Sequence, residues 1–360
     1  MPRYGFNFLW IFSSAREEEP QPPNLRELDL VTELGLDFVR IPADYRFWTS
    51  NFDYLHPDGR VLKIVDEYLD ACRSRNLHMC LNLHRAPGYC VNPGIQERDN
   101  LWTDRVAQKG FIFQWENFAR LYKGVPNSQL SFDLVNEPPT EGTRGFTRQV
   151  HEKLIRRTVE AIRAIDPQRE IVLDGIAGGN LATPELADIG AVHSGRGYQP
   201  YCLTHYRAPW SKNSGNLPMP VWPDLEYKGA TWNKDALRKF YQPWRDLEKR
   251  GVRVHIGEFG CYNRTPNPVA LRWFEDLLSL FQEFKWGYAL WNFRGPFGVL
   301  DHGRPGTNYT DWFGYQLDRE MMDIFLRYRV GEGGKKPRDP RKESAVIKRA
   351  ETRLFEFGPE

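Results

Sequence analysis

Eight short apolar runs, separated by stretches of helical periodicity, constrain this 360-residue chain more than any single residue does. The spacing predicts strands over Tyr4–Trp10, Phe38–Pro42, His78–His84, Leu130–Pro138, Ile171–Gly175, Ala191–Tyr198, Val252–Gly260 and Gly287–Phe293. The runs are apolar on both faces, as a parallel sheet covered by helices requires. Between them, Asn24 stands as a cap before the stripe Leu25, Leu28, Val31 and Leu34, and Gly35 is its stop. A second stripe joins Leu62, Val65, Leu69 and Cys72. A third runs through Val150, Leu154, Val159, Ile162 and Ile165 until Asp166-Pro167 ends it. Thr183-Pro184-Glu185 reads as a cap with proline at the first helical position. Further helical stretches are expected over Val269–Phe284 and Leu317–Tyr328.

Eight strand–helix units predict a single-domain (β/α)8 TIM barrel over residues 1–330. A doubly wound open sheet is the weaker alternative, because no phosphate-binding glycine motif follows the first strand. Two connections are long, residues 85–110 after strand 3 and 199–233 after strand 6. Both leave carboxyl ends of strands, where barrel active sites lie. They carry Tyr89, Trp102, Tyr201, Tyr206, Trp210, Trp222 and Trp232, expected to wall a cleft. Residues 331–360 form a charged tail, packed on the barrel or partly disordered.

Composition removes several function classes. A net charge of +2, with both signs interspersed, gives no pull toward nucleic acid or an anionic membrane. No segment has the apolar length of a membrane span. The five cysteines are odd in number and lack a C-x-x-C pattern, so free thiols are expected rather than a disulfide framework or zinc site. The apolar start, with Ser13-Ser14-Ala15 beyond it, has some of the shape of a leader. Asn7 interrupts it, however, and the segment is needed as the first strand. A cytoplasmic location is expected, or a secreted one if a leader has been removed. A monomer or weak homo-oligomer without cofactor is expected.

Two strand ends carry glutamates: Glu137 in Leu134-Val135-Asn136-Glu137-Pro138 and Glu258 in His255-Ile256-Gly257-Glu258-Phe259-Gly260. Carboxyl groups on two strand ends can flank one bond, the arrangement that glycoside hydrolysis needs. Other polar and aromatic groups share that mouth, among them Arg40, His84, Arg196, Tyr198 and Trp291. A metal site is the rival chemistry. No H-x-H or H-E-x-x-H spacing supports it, and Arg40 and Arg196 would repel a cation.

Six segments, in order along the barrel, resemble a family 5 glycoside hydrolase of the clan of retaining barrel glycosidases. They are Val39-Arg40-Ile41-Pro42, Asn82-Leu83-His84-Arg85-Ala86-Pro87-Gly88, Asn136-Glu137-Pro138, Tyr198-Gln199-Pro200, Gly257-Glu258-Phe259-Gly260 and Trp291-Asn292-Phe293-Arg294-Gly295. The resemblance implies that Glu258 is the nucleophile and Glu137 the acid, then base. It implies that Asn136 binds the sugar 2-hydroxyl, that Arg40 keeps the nucleophile ionised and oriented, and that Tyr198 hydrogen-bonds it. His84 would contact the sugar and Trp291 would floor its subsite. The chain departs from the family at Arg196, where a histidine is usual. An alternative alignment slides His205-Tyr206 onto that motif, out by one residue, which keeps His205 among the supporting candidates. Arg196 is expected either to pair with a carboxylate or to face substrate.

The implied substrate is a β-linked glucan or gluco-oligosaccharide, cleaved as an endo-β-1,4-glucanase would cleave it. β-Mannanase, or exo-acting β-glucosidase or β-mannosidase, is the alternative within the class. A carbohydrate-binding barrel without catalysis is the alternative outside it. Retention requires the two carboxyl groups to lie about 5–5.5 Å apart.

Overall fold

The computed structural model describes residues 1–12, 19–92, 97–211 and 217–329. The tail expected over 331–360 lies outside the described residues. Eight strands form the barrel: β1 (Tyr4–Asn7), β2 (Phe38–Asp44), β3 (His78–Ala86), β4 (Leu130–Asp133), β5 (Ile171–Asp174), β6 (Val192–Gly197), β7 (Arg253–Phe259) and β8 (Gly287–Leu290). Each pairs in parallel with the next, and β8 pairs with β1, so the sheet closes on itself. Closure leaves none of the eight as an edge strand.

Helices cover the outside: α1 (Leu25–Glu33), α2 (Gly59–Arg73), α3 (Arg105–Leu121), α4 (Arg148–Ile165), α5 (Lys234–Phe240), α6 (Gln242–Glu248), α7 (Asn267–Phe284) and α8 (Arg319–Arg327). Their starts follow from local chemistry. The Asn24 side chain accepts the Glu27 N–H, and the Thr147 hydroxyl accepts the Val150 N–H. Each satisfies an amide that the helix itself cannot reach. Gly35, at φ 68°, turns the chain out of α1.

The helix expected at Thr183-Pro184-Glu185 does not form. Pro184–Leu186 makes one 3-10 turn, and β6 begins at Val192. The segment is too short to propagate a helix once nucleated. The two long connections also carry structure of their own. Tyr89–Cys90 folds back antiparallel on the end of β3, and Leu225–Tyr227 pairs with Ala230–Trp232 as a hairpin. Trp102 and Trp222, expected along the cleft, are buried instead. Trp102 packs edge-on against Phe146, and the Trp222 indole N–H donates to Asp276. A large indole is a natural filler between strand and helix layers, and that of Trp222 also has its polar edge satisfied.

Trp115, Trp244, Trp273 and Trp286 fill the outer core. Inside the barrel the small residues Cys80, Ser131, Ser194 and Gly257 stand among the larger Phe38, Val172, Val192 and His255. They leave a cavity of about 260 Å³ that opens at the amino-terminal end beside Arg3 and Arg253. All five cysteines are free. Among the described residues no helix is long and apolar enough to cross a membrane.

The seam between β1 and β2 is tightest at Gly5, where an added Cβ would land on the Phe38 carbonyl. Overpacking a barrel seam costs typically 1–3 kcal/mol. Gly5→Ala should therefore lower stability by about 3 kcal/mol in urea denaturation. A midpoint equal to the parent's would show that the seam opens freely.

Candidate active site

The carboxyl ends of all eight strands converge on one mouth. Asn7 ends β1, Arg40 lies in β2, His84 in β3, Asp133 ends β4, Asp174 ends β5, Arg196 lies in β6 and Glu258 in β7. Asn136 and Glu137 follow β4, Tyr198 follows β6, and Trp291 follows β8. In register, Arg40 sits beside Asn7, and Glu258 beside Arg196. The β6–β7 register shifts between Ile256 and Glu258. An irregularity of this kind re-aims the side chain that follows it. Glu137 itself has φ 48°, a left-handed conformation that side chains rarely adopt.

Two buried guanidinium groups organise the mouth. Arg40 donates through Nε to Asp133 Oδ2 (2.8 Å), through Nη1 to Asn7 Oδ1 (2.9 Å) and Glu258 Oε1 (2.6 Å), and through Nη2 to Asn136 Oδ1 (2.9 Å). Arg196 donates through Nε to Glu137 Oε1 (2.9 Å) and through Nη2 to Asn136 Oδ1 (2.9 Å) and Glu258 Oε1 (3.1 Å). It also grips Asp174 with both terminal nitrogens, Nη1 to Oδ1 at 2.9 Å and Nη2 to Oδ2. Neither arginine has more than 1% of its side chain exposed. The Tyr198 hydroxyl donates to Glu258 Oε2 (3.1 Å). Glu258 thus receives guanidinium donors on one oxygen and a hydroxyl on the other.

The two glutamates differ in surroundings. Burial pushes Glu137 up to about 8, and Glu258 and Asp174 add to the effect; Arg196 opposes it without overcoming it. The structure therefore resolves the expected choice for Arg196 in favour of carboxylate pairing. Burial and Asp174 raise Asp133 to about 7 against the pull of Arg40 and Arg196. Burial alone would raise Asp174 as well, but the two guanidiniums outweigh it and hold that carboxyl below its ordinary range.

His84 is kept neutral by burial and by the charges of Arg40 and Arg196. Its Nε2 lies 3.1 Å from Asn92 Oδ1 and 3.4 Å from Asn136 Nδ2. The ring stacks on Trp291, centroids 5.2 Å apart. His205 stands apart from the carboxylates. It stacks on Tyr201 at 3.9 Å, meets Thr204 Oγ1 through Nδ1, and is held neutral by burial. It belongs to an aromatic wall with Tyr198, Phe297 and Trp210, the last of which is 49% exposed.

Sequence reasoning missed Asn7, Asp133 and Asp174. Asp174 ends a short apolar run, a signal as visible as that of Glu258, whereas Asn7 and Asp133 interrupt the apolar runs expected as strands Tyr4–Trp10 and Leu130–Pro138. Tyr89, expected only as part of the cleft wall, donates its hydroxyl to the Glu137 carbonyl at 2.6 Å. The carboxylates are already bridged by guanidinium groups, a poor setting for a cation. The group of oxygens and rings fits acid–base work on a sugar, with rings for its apolar faces. Removing one partner of a buried ion pair costs about 3–5 kcal/mol, because the other charge stays buried. Arg40→Met should lose about that much in urea denaturation, and an unchanged midpoint would show that Asp133 and Glu258 need no cation.

The profile described as Cellulase (glycosyl hydrolase family 5) matches residues 9–295, which takes in β2 to β8 and every strand-end residue named above except Asn7. Endoglucanase C of Acetivibrio thermocellus is 29% identical over 298 residues, covering 75% of this chain and 83% of that protein. Cellodextrinase A of Ruminococcus flavefaciens is 25% identical over 282 residues, covering 76% of this chain and 80% of that one. A crystal structure described as a glycoside hydrolase is 60% identical and superposes with a TM-score of 0.90, over 92% of this chain and 100% of its own. The chain is a glycoside hydrolase and belongs to the cellulase family, glycosyl hydrolase family 5.

Proposed function

We propose that the protein hydrolyses β-1,4-linked glucans or gluco-oligosaccharides with retention, Glu258 acting as nucleophile and Glu137 as acid and then base. One observation carries the reading. Glu137 Oε1 and Glu258 Oε1 hang from the same guanidinium, at 2.9 and 3.1 Å from Arg196 Nε and Nη2. Carboxyl groups sharing one planar group stand close. That supports the separation of about 5–5.5 Å of retaining enzymes over the roughly 6.5–9.5 Å that leaves room for an inverting water. The named relatives, an endoglucanase and a cellodextrinase, support glucan over other polymers.

The two steps use the asymmetry of the pair. Glu137 starts protonated and gives its proton to the glycosidic oxygen as a Glu258 oxygen bonds to C1 and the C1–O bond breaks. The ester so formed carries no charge on Glu258, so one cause of Glu137's high proton affinity disappears. Glu137, now ionised, takes a proton from water whose oxygen attacks C1, and Glu258 leaves. Asn136 turns its Oδ1 to both arginines, which leaves its Nδ2 as the donor for a sugar hydroxyl. His84 and Trp291 offer a neutral ring and an indole to the sugar bound there.

Proton NMR of the first product should show the β-anomer before mutarotation, whereas a first-formed α-anomer would refute retention. Glu258→Ala should show no turnover. Glu137→Ala should lose about 10²–10⁴-fold on β-glucan yet still form the glycosyl-enzyme from dinitrophenyl β-cellobioside. Full activity of Glu137→Ala on glucan would overturn its assignment. Because the acid must hold its proton, kcat/KM should persist up to about pH 8 and fall above it. A panel of β-glucan, mannan and xylan with product sizing tests the sugar and the endo mode.

A further inference from the structure

Arg196 sets an electrostatic problem. A permanent cation 2.9 Å from Glu137 Oε1 stabilises the carboxylate and should spoil Glu137 as an acid. The same guanidinium nevertheless sits there fully buried, and Asp174 answers it. Asp174 Oδ1 and Oδ2 accept from Arg196 Nη1 and Nη2, the two-pronged geometry in which a carboxylate best neutralises an arginine. Its Oδ2 also accepts the Glu137 backbone N–H at 3.0 Å. That bond holds the amide of a residue whose φ of 48° needs outside support. The charge of Asp174 and the backbone of Glu137 are thus tied at one oxygen.

We infer that Asp174 is a positioning residue for the acid/base: it converts Arg196 from a free cation into half of a neutral pair and clamps the backbone from which Glu137 projects. The pair does the work of a neutral donor at the strand-6 position. It delivers an N–H to Glu137 and another to Glu258 while adding little net charge. The inference rests on Glu137 being the acid. The other groups facing Glu137 are Glu258 from β7, Tyr89 and Tyr198 from the loops, and Tyr201 beyond them. Arg40, Asp133 and His84 stand behind Arg196 and Asn136. None of these grips the Arg196 fork as Asp174 does.

The test is the alkaline limb of kcat/KM for β-glucan in four variants. Asp174→Asn keeps the shape and removes the charge, so Arg196 should act at full strength and move the limb at least about one unit to lower pH. Arg196→Gln removes the cation and leaves Asp174 with only the more distant Arg40, 3.6 Å away, so the limb should move to higher pH. This variant carries the test if Asp174→Asn does not fold. The double variant removes both charges and should bring the limb back to within about half a unit of the parent. Opposite shifts that cancel cannot come from a merely structural role, which would lower the rate and leave the limb in place. Unmoved limbs in both single variants, or shifts of the same sign, would overturn the inference. Glu137→Gln is the control. If it keeps the limb, the assignment of Glu137 as acid falls. If it loses the limb while Asp174→Asn and Arg196→Gln leave theirs unmoved, only the role of Asp174 falls.

Discussion

The sharing of two buried guanidinium groups among four carboxyl groups governs this active site. Arg40 and Arg196 reach Asp133, Asp174, Glu137 and Glu258, and every one of the six is largely or wholly shielded from water. Two cations cannot balance four carboxylates in a poorly solvated space. Neutrality is approached when two of the four hold protons, and burial raises the proton affinity of Glu137 and Asp133. The raised proton affinity of Glu137 is thus a property of the whole cluster. The barrel makes the cluster possible, because a closed ring of parallel strands brings the ends of β2, β4, β5, β6 and β7 to one point.

Asn136 shows how finely the cluster is divided. Its single carbonyl oxygen accepts from both arginines, at 2.9 Å each. That oxygen fixes the two guanidiniums relative to each other without adding a charge. The amide nitrogen is left on the other side, toward His84 and the cleft. A carboxylate at 136 would upset the count of charges, and an aliphatic residue would take from Arg40 Nη2 its buried acceptor, whereas Arg196 Nη2 would keep Asp174 and Glu258.

Much of this was legible in the sequence, and the failures have physical causes. The eight strands were found because burial on both faces writes an unbroken apolar run. Glu137, Glu258, Arg40 and Tyr198 stood out because motif context surrounds each of them. Asp174 ends an apolar run just as plainly, but its meaning depends on Arg196, which lies on the next strand and is joined to it by no spacing rule. Trp102 and Trp222 misled because indoles suit a sugar platform and a core equally well, and only burial separates the two. Pro184 marked a helix start correctly in kind, yet the chain reached β6 before a helix could extend. Local signals name candidates; the partners that tune them come from strand neighbours distant in sequence.

The left-handed backbone of Glu137 has a consequence for how such a chain changes over generations. Holding a side chain at φ 48° costs on the order of 1–3 kcal/mol, a penalty that glycine escapes. Selection for heat resistance alone would therefore drift toward glycine at the position where the proposed mechanism needs a carboxyl. Robustness and turnover pull this one codon in opposite directions. A sturdier descendant with an intact barrel and a silent cleft lies a few nucleotide changes away.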